Sequence, residues 1–303
     1  RAEHAALGLR ANFALFDAYD SERLLKEILL HDRKLRAQPL SAITAAISQW
    51  KNALQEPTQL LAELEDPAQR LLARAYQRYQ RQLTAYHAVD FDDLLRLPAR
   101  LWQQQPERLH AWQAKLGYLL VDEYQDTNAA QYALVRSWVG LRPAFTVVGD
   151  DAQAIYAWRG AQADNLFQLT QDFPTLQVLK LEQNYRSTPQ ILEAANQLIS
   201  NNSARFAKRL WTALPVGGAV RVLPCADEQQ EAAQVVADLH QHQTATQAPW
   251  DTYAILYRSN QQSRLFEEQL RAQGMPYTVS GGDSFFARPE VKDAVAYLQL
   301  LAN

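Results

Sequence analysis

The spacing of apolar positions divides the chain into two kinds of pattern. Between residues 20 and 100, apolar side chains recur every three or four positions, as at Leu25, Ile28 and Leu29. This spacing places them on one face of a helix. The pattern predicts a helical region, whose solvent-facing positions are rich in Gln and charged residues.

From residue 118 onwards, short apolar runs end in polar clusters. The runs are residues 118–121, 145–148 and 176–181, with helical spacing at 129–139 and 163–172 between them. Buried strands that alternate with helices are typical of a parallel α/β sheet. Ligands of such sheets bind beyond the carboxyl ends of the strands, which is where all three polar clusters fall.

The alternation resumes after residue 184 and predicts a second α/β domain. Helices are expected at 189–200, 228–243 and 261–273, strands at 219–223, 253–257 and 277–280, and a further helical pattern at 291–301.

Composition narrows the class of protein. With 303 residues, 48% of them hydrophobic, the chain can fill two domain cores. No apolar run is long enough for a membrane span, so no membrane partner is expected. The single Cys225 excludes an internal disulfide and favours a cytoplasmic location. A net charge of −3 gives no global sign of nucleic-acid binding, although a local groove with stacking aromatics would suffice for single strands.

An acidic pair, Asp122-Glu123, directly follows the first apolar run. In a nucleotide hydrolase one such carboxylate holds Mg²⁺ and a neighbour activates the attacking water. Taken alone, the pair could equally be a solvated strand end.

Three longer strings decide between these readings. They are residues 119–126 (LLVDEYQD), 147–160 (VVGDDAQAIYAWRG) and 181–187 (LEQNYRS). In order and spacing they resemble motifs II, III and IV of the superfamily 1A DNA helicases of the UvrD/Rep/PcrA family. Residues 90–94 (DFDDL), 256–260 (LYRSN) and 280–286 (SGGDSFF) resemble flanking family segments, and residues 5–8 (AALG) and 12–13 (NF) are most similar to the Rep branch.

The resemblance implies an α/β fold of parallel-sheet RecA-like motor domains, both partial, with a helical inserted subdomain. Residues 1–103 would form that subdomain and 104–184 the C-terminal half of the first motor domain. Residues 185–281 would form the N-terminal part of the second motor domain, and 282–303 the start of a second helical insertion.

The resemblance also implies ATP and Mg²⁺ as cofactors. Asp122 would bind Mg²⁺ and Glu123 would act as the catalytic base. Gln153 would sense the γ-phosphate, Tyr185 would stack on the adenine, and Arg186 would reach the γ-phosphate. A forked, permanently charged guanidinium suits phosphate oxygens.

Single-stranded DNA and single-strand/duplex junctions are the implied partners, together with replication or repair proteins. Tyr156 and Trp158 would meet DNA bases, with Arg159 as support. The alternative for both aromatics is packing in a core. Asp92 and Asp93 are expected to cap and brace a helix start rather than touch substrate.

Several features depart from the family pattern. No G-x-x-x-x-G-K-[ST] string occurs, and the resemblance implies that this phosphate-binding loop precedes Arg1 and that an arginine finger lies beyond Asn303. We therefore expect an internal portion of a longer 3′–5′ helicase, inactive alone. Ala154 replaces the Ser usual in motif III.

Alternative readings are a helicase–nuclease subunit of the RecB type, or a non-catalytic DNA- or nucleotide-binding module. An RNA helicase is disfavoured, because Asp122-Glu123-Tyr124-Gln125 is unlike the DEAD-box string.

Overall fold

The computed structural model describes residues 1–30, 32–140, 144–202, 206–281 and 289–302. The chain divides into two compact units, residues 1–217 and residues 218–303.

The first unit contains helices α1 (Ala18–Leu30), α2 (Arg33–Arg36), α3 (Leu40–Asn52), α4 (Pro57–Glu63), α5 (Pro67–Ala85), α6 (Asp93–Gln104), α7 (Pro106–Gln113), α8 (Ala129–Val139), α9 (Asp164–Asp172) and α10 (Pro189–Ile199). Its strands are β1 (Ala14–Phe16), β2 (Ala88–Asp90), β3 (Leu119–Val121) and β4 (Phe145–Val147). The second unit contains α11 (Glu228–Thr246), α12 (Ser263–Ala272) and α13 (Pro289–Ala302).

The predicted helical region is confirmed as α1 to α6. Its core is made of apolar side chains from α1, α3 and α5, among them Leu25, Ile43 and Tyr76. Helix α5 begins where Asp66 accepts hydrogen bonds from the backbone N–H groups of the first turn, with Pro67 at the first helical position. Strands β1 and β2, which pair in parallel within this region, were not predicted.

A buried ionic cluster lies where β2 meets α6. Lys51 Nζ is 2.6 Å from Asp90 Oδ2 and 3.0 Å from Asp93 Oδ2, and Arg96 Nη2 is 2.9 Å from Asp93 Oδ1. Burial alone would raise the pKa of Asp93, but Lys51 and Arg96 outweigh it and hold that pKa below its ordinary value. Asp93 thus braces the start of α6, as expected.

The expected cap by Asp92 is wrong, because its side chain makes no hydrogen bond to the helix start. Asp90 Oδ1 accepts the N–H of Asp93 instead. Asp92 Oδ1 accepts from Asn52 Nδ2, and Asn52 Oδ1 accepts from Asn128 Nδ2 at 2.8 Å. These hydrogen bonds connect the helical region to Asn128, the residue that caps α8.

Strands β3 and β4 pair in parallel, with Leu119 opposite Phe145 and Val121 opposite Val147. Helices α8 and α9 contribute to the core beside them, which includes Tyr124, Phe145 and Leu169. Both strands confirm the sequence prediction. The predicted strand at 176–181 is wrong: it forms no ladder among the described residues, and only Gln183, just beyond it, makes a bridge, to Trp211.

In the second unit α11 and α12 pack through Val236 and Leu270, and Met275, just after α12, joins the same core. The predicted helices are confirmed, whereas strands at 219–223, 253–257 and 277–280 are wrong for the described residues. A strand is defined by hydrogen bonds to a neighbour, and these segments pair with none; Leu256 is 93% exposed. The fold is therefore mixed α/β with small parallel sheets. Residues 282–288 of the predicted second insertion lie outside the described residues.

Candidate nucleotide and DNA site

The acidic pair projects from the sheet because the backbone leaves the ladder there. Val148 N–H donates to Val121 O, and Tyr124 N–H donates to Val148 O. Asp122 and Glu123 lie between these two bonds and are exposed. Glu123 has φ 49° and ψ 44°, a left-handed conformation that costs a non-glycine residue free energy. The two carboxylates are therefore presented beyond the carboxyl end of β3.

Gln125 is the buried connection between the two strand ends. Its side chain is 1% exposed, its Nε2 donates to Glu123 Oε2 at 2.7 Å, and its Oε1 accepts the N–H of Asp150 at 3.0 Å. Gly149 allows this approach, since a Cβ there would lie 2.9 Å from Gln125 Oε1. Gln125 belongs to the string at residues 119–126, but its place in that string predicts no role for it.

Asp150 organises the turn after β4. Its Oδ1 accepts the N–H of Ala152 at 2.9 Å, and its Oδ2 accepts Gln153 Nε2 at 2.9 Å. Burial opposes ionisation, but hydrogen bonds from Lys208 and Gln153 outweigh it and lower the pKa of Asp150. Glu123 and Gln153 are thus connected through Gln125 and Asp150, so these two predicted site residues belong to one hydrogen-bonded group.

The two aromatics of motif III lie at the surface. Trp158 is 70% exposed, and its ring centroid is 6.3 Å from that of Tyr156 at an interplanar angle of 50°. Tyr156 immediately precedes a short 3₁₀ turn, Ala157–Arg159, which contains Trp158 and which Gly160 ends at φ 86°. The exposure argues against the core-packing alternative for Trp158. The Arg159 side chain is not among the described features.

Motif IV presents Tyr185 and Arg186 on an exposed turn. Asn184 Oδ1 accepts the N–H groups of Arg186 and Ser187 at 2.9 and 2.8 Å, which shapes the turn before α10. Tyr185 is 77% exposed, and its hydroxyl donates to Gln183 Oε1. An exposed aromatic face at this position is compatible with stacking on a base.

A segment after α10 connects motif IV to motif III. Trp211 N–H donates to Glu182 O, and Asn184 N–H donates to Trp211 O. From the same segment, Lys208 Nζ reaches Asp151 Oδ1 at 2.9 Å and also contacts Asp150 Oδ1. Lys208 was not predicted as a site residue, because a lone Lys in a polar loop carries no pattern.

The acidic pair fits a magnesium ion that completes its coordination with nucleotide and water. Mg²⁺ is commonly held by one or two protein carboxylates together with phosphate oxygens. Asp122 is exposed, and its Oδ1 accepts a hydrogen bond from the N–H of Glu123.

Among the described residues, none of the helices is long and apolar enough to cross a membrane.

Two family models cover most of the chain. Residues 1–174 match the UvrD/REP helicase N-terminal domain, and residues 179–303 match the UvrD-like helicase C-terminal domain. Proteins named ATP-dependent DNA helicase Rep from Salmonella typhimurium and from Escherichia coli are each 50% identical over 99% of this chain. ATP-dependent DNA helicase PcrA from Staphylococcus aureus is 41% identical over 98%.

The chain spans 45% of each Rep protein and 41% of that PcrA protein, which is less than half of the length of these relatives. Within that span the similarity is continuous, and both family models fall in the order expected from the motifs. The chain belongs to the UvrD/Rep family of helicases.

Proposed function

We propose that this chain is a portion of an ATP-dependent DNA helicase that moves 3′ to 5′ on single-stranded DNA and separates the duplex ahead of it. The relatives named ATP-dependent DNA helicase Rep share half of their aligned residues with it. In this proposal residues 104–184 and 185–281 belong to two RecA-like motor domains. Residues 1–103 and 282–303 belong to inserted helical subdomains.

One observation carries the proposal: the hydrogen-bonded path from Glu123 through Gln125 and Asp150 to Gln153. It unites a candidate base with a candidate phosphate-sensing amide at the carboxyl ends of two parallel strands. This is the edge where α/β sheets bind nucleotides.

In the proposed mechanism Asp122 would hold Mg²⁺, and the ion would supply positive charge to offset that of the phosphates. Glu123 accepts a proton from the attacking water, with its carboxylate aimed by the Gln125 amide. Gln153 donates to the γ-phosphate, Arg186 stabilises the charge that develops there, and Tyr185 stacks on the adenine.

DNA binding is proposed for Tyr156 and Trp158, with Arg159 in support. An aromatic face stacks on any base and contributes about 1–3 kcal/mol per base without reading sequence. The exposure of both rings supports this assignment.

Single-strand/duplex junctions, and replication or repair proteins, are proposed as further partners. A reducing, cytoplasmic location is proposed from the free Cys225.

The test is steady-state phosphate release by the longer helicase that contains this chain, with and without oligo-dT. We expect ATP hydrolysis that depends on Mg²⁺ and rises several-fold with the oligonucleotide. Strand-displacement assays with a 3′ or a 5′ single-stranded tail then test direction. Hydrolysis that oligo-dT leaves unchanged would contradict the proposal.

A further inference from the structure

We propose that Lys208 is a positioning residue that holds the motif III turn, residues 150–153, in the geometry required for hydrolysis. The inference rests on the proposed function, because it concerns the same nucleotide site. It assigns a role to a residue outside the motifs and to a contact between segments 57 residues apart in the chain.

The segment that carries Lys208 is hydrogen-bonded to residues in and just before motif IV and to a residue that follows it. Asn196 Nδ2 donates to Leu210 O at 2.9 Å, and Leu210 N–H donates to Asn196 Oδ1 at 3.1 Å. Trp211 bonds to the backbone of residues 182 and 184, and Lys180 Nζ donates to Ala207 O. Lys208 therefore projects from a segment that is hydrogen-bonded both to the residues before Tyr185 and to helix α10, which follows Arg186.

The ammonium group of Lys208 lies between two carboxylates. It contacts Asp150 Oδ1 and lies 2.9 Å from Asp151 Oδ1, with its side chain 23% exposed. Burial opposes the charge, but the two hydrogen bonds outweigh it and raise the pKa of Lys208, so the side chain stays protonated near neutral pH. Without it two neighbouring carboxylates would face each other, and like charges in a partly dry site repel.

Gln153 depends on this arrangement through Asp150. Asp150 uses Oδ2 to accept the Gln153 amide and Oδ1 to accept both the Ala152 N–H and Lys208. If Asp150 swings away from Asp151, the Gln153 side chain loses the acceptor that orients it. Lys208 thus fixes Gln153 relative to the segment bearing Arg186, and both side chains are proposed to act on the same phosphate.

The experiment compares three variants of the longer helicase. Lys208→Met keeps the length of the side chain without its charge, and Lys208→Arg keeps the charge. Arg209→Met is the matched control: the neighbouring cation pairs with Glu193, and its side chain is 75% exposed. Measurements are kcat and KM for DNA-stimulated ATP hydrolysis, and hydrogen exchange of the peptide spanning residues 150–156.

We expect Lys208→Met to lower kcat on the order of tenfold to a hundredfold, as misplacement of a reacting group does. KM for ATP should change by less than about twofold, since uniform binding is kept. Exchange in 150–156 should accelerate. Lys208→Arg should recover most of the kcat, and Arg209→Met should match the wild type in all three measurements.

Asp151→Asn gives a second route if Lys208→Met folds poorly. It removes the negative charge of one carboxylate in the same contact while leaving an acceptor oxygen, so kcat should fall by a smaller factor, and exchange should accelerate in the same peptide. A folded Lys208→Met protein with wild-type kcat and exchange would overturn the inference, as would wild-type kcat and exchange in Asp151→Asn. Absence of DNA-stimulated hydrolysis in the wild type would instead refute the proposed function, and the exchange measurement would still decide whether Lys208 holds the turn.

Discussion

The side-chain amide of Gln125 donates to Glu123 Oε2 across 2.7 Å. Because Gln125 is buried and its oxygen is held by the N–H of Asp150, the amide cannot rotate without losing a hydrogen bond at each end. Glu123 is therefore oriented by a rigid donor, although its own position on the surface is exposed. The direction of the carboxylate is built into the sheet before any nucleotide binds.

Changing Glu123 to Gln in the longer helicase should separate binding from hydrolysis. The variant keeps the size and an oxygen to which Gln125 can donate, but it loses the carboxylate proposed as the base. ATP hydrolysis should fall by about 10²–10⁴-fold, the range for general base catalysis, while nucleotide affinity stays near the wild-type value. Phosphate release and a fluorescent-nucleotide titration measure the two. As a companion, Asp122→Asn should weaken Mg²⁺-dependent nucleotide binding. A near-normal rate for Glu123→Gln would remove Glu123 from its role.

Changing Gly149 to Ala should disturb the connection between the strand ends. The new Cβ would lie 2.9 Å from Gln125 Oε1 and 3.3 Å from the Gln125 backbone nitrogen, and the backbone atom cannot yield easily. We expect a loss of roughly 1–3 kcal/mol in the free energy of unfolding, typical of overpacking. Urea unfolding measures it. Gly218→Ala is the control, because nothing lies within 4 Å of its Cβ position. Equal stability of the two variants would show that Gly149 is not constrained.

Trp158→Ala tests the DNA surface against the core-packing alternative. Since the ring is 70% exposed, unfolding should change by less than about 1 kcal/mol. Single-strand affinity of the longer helicase should fall by about 1–3 kcal/mol, the value of one stacked base. Fluorescence anisotropy with labelled oligo-dT measures it. Trp102→Ala, at a buried site, should instead cost about 3–5 kcal/mol of stability. Unchanged affinity in Trp158→Ala would exclude the stacking role.

Lys51→Met tests the buried ionic cluster and its pH dependence. It leaves Asp90 and Asp93 buried without that cation, which at neutral pH should cost about 3–5 kcal/mol of stability. The lowered pKa of Asp93 means that the wild type gains stability above the ordinary carboxyl range and loses it as pH falls through the folded-state pKa.

In the variant Arg96 alone opposes the effect of burial, so the pKa of Asp93 should rise, and the stability difference from the wild type should shrink between neutral pH and about pH 4. Urea unfolding at several pH values measures this. Lys26→Met is the control, since its pair with Glu22 is largely exposed and should be worth under about 1 kcal/mol. A difference independent of pH would contradict the assignment to Asp93.

The sequence could predict elements whose signal is local. Helix α8 begins where Asn128 and Gln131 form a capping box, and its predicted start and end both agree with the structure. Strand β3 was predictable because its apolar run pairs with β4. The run containing Leu256 is also apolar, but it has no partner strand among the described residues. The amino acids of a run do not indicate whether a second strand lies beside it.

The site was predictable only where a motif exists. Glu123 and Gln153 stand in recognisable strings, so their candidacy follows from order and spacing. Lys208 contacts Asp151, which is 57 residues away in the sequence, so no local pattern could predict the contact. The bridging role of Gln125 likewise depends on burial and on Gly149, which become visible only once both strands are placed side by side.

The left-handed backbone at Glu123 costs folding free energy at the position proposed for catalysis. Asn and Gly adopt φ near 49° more easily than Glu does, so either residue should relax the chain at this point. Glu123→Gly and Glu123→Asn should then abolish hydrolysis while raising the urea midpoint above that of Glu123→Ala, which lacks the base but keeps the penalty. Stability alone would favour a different residue at this position, so the role proposed for Glu123 would come at a cost in folding free energy.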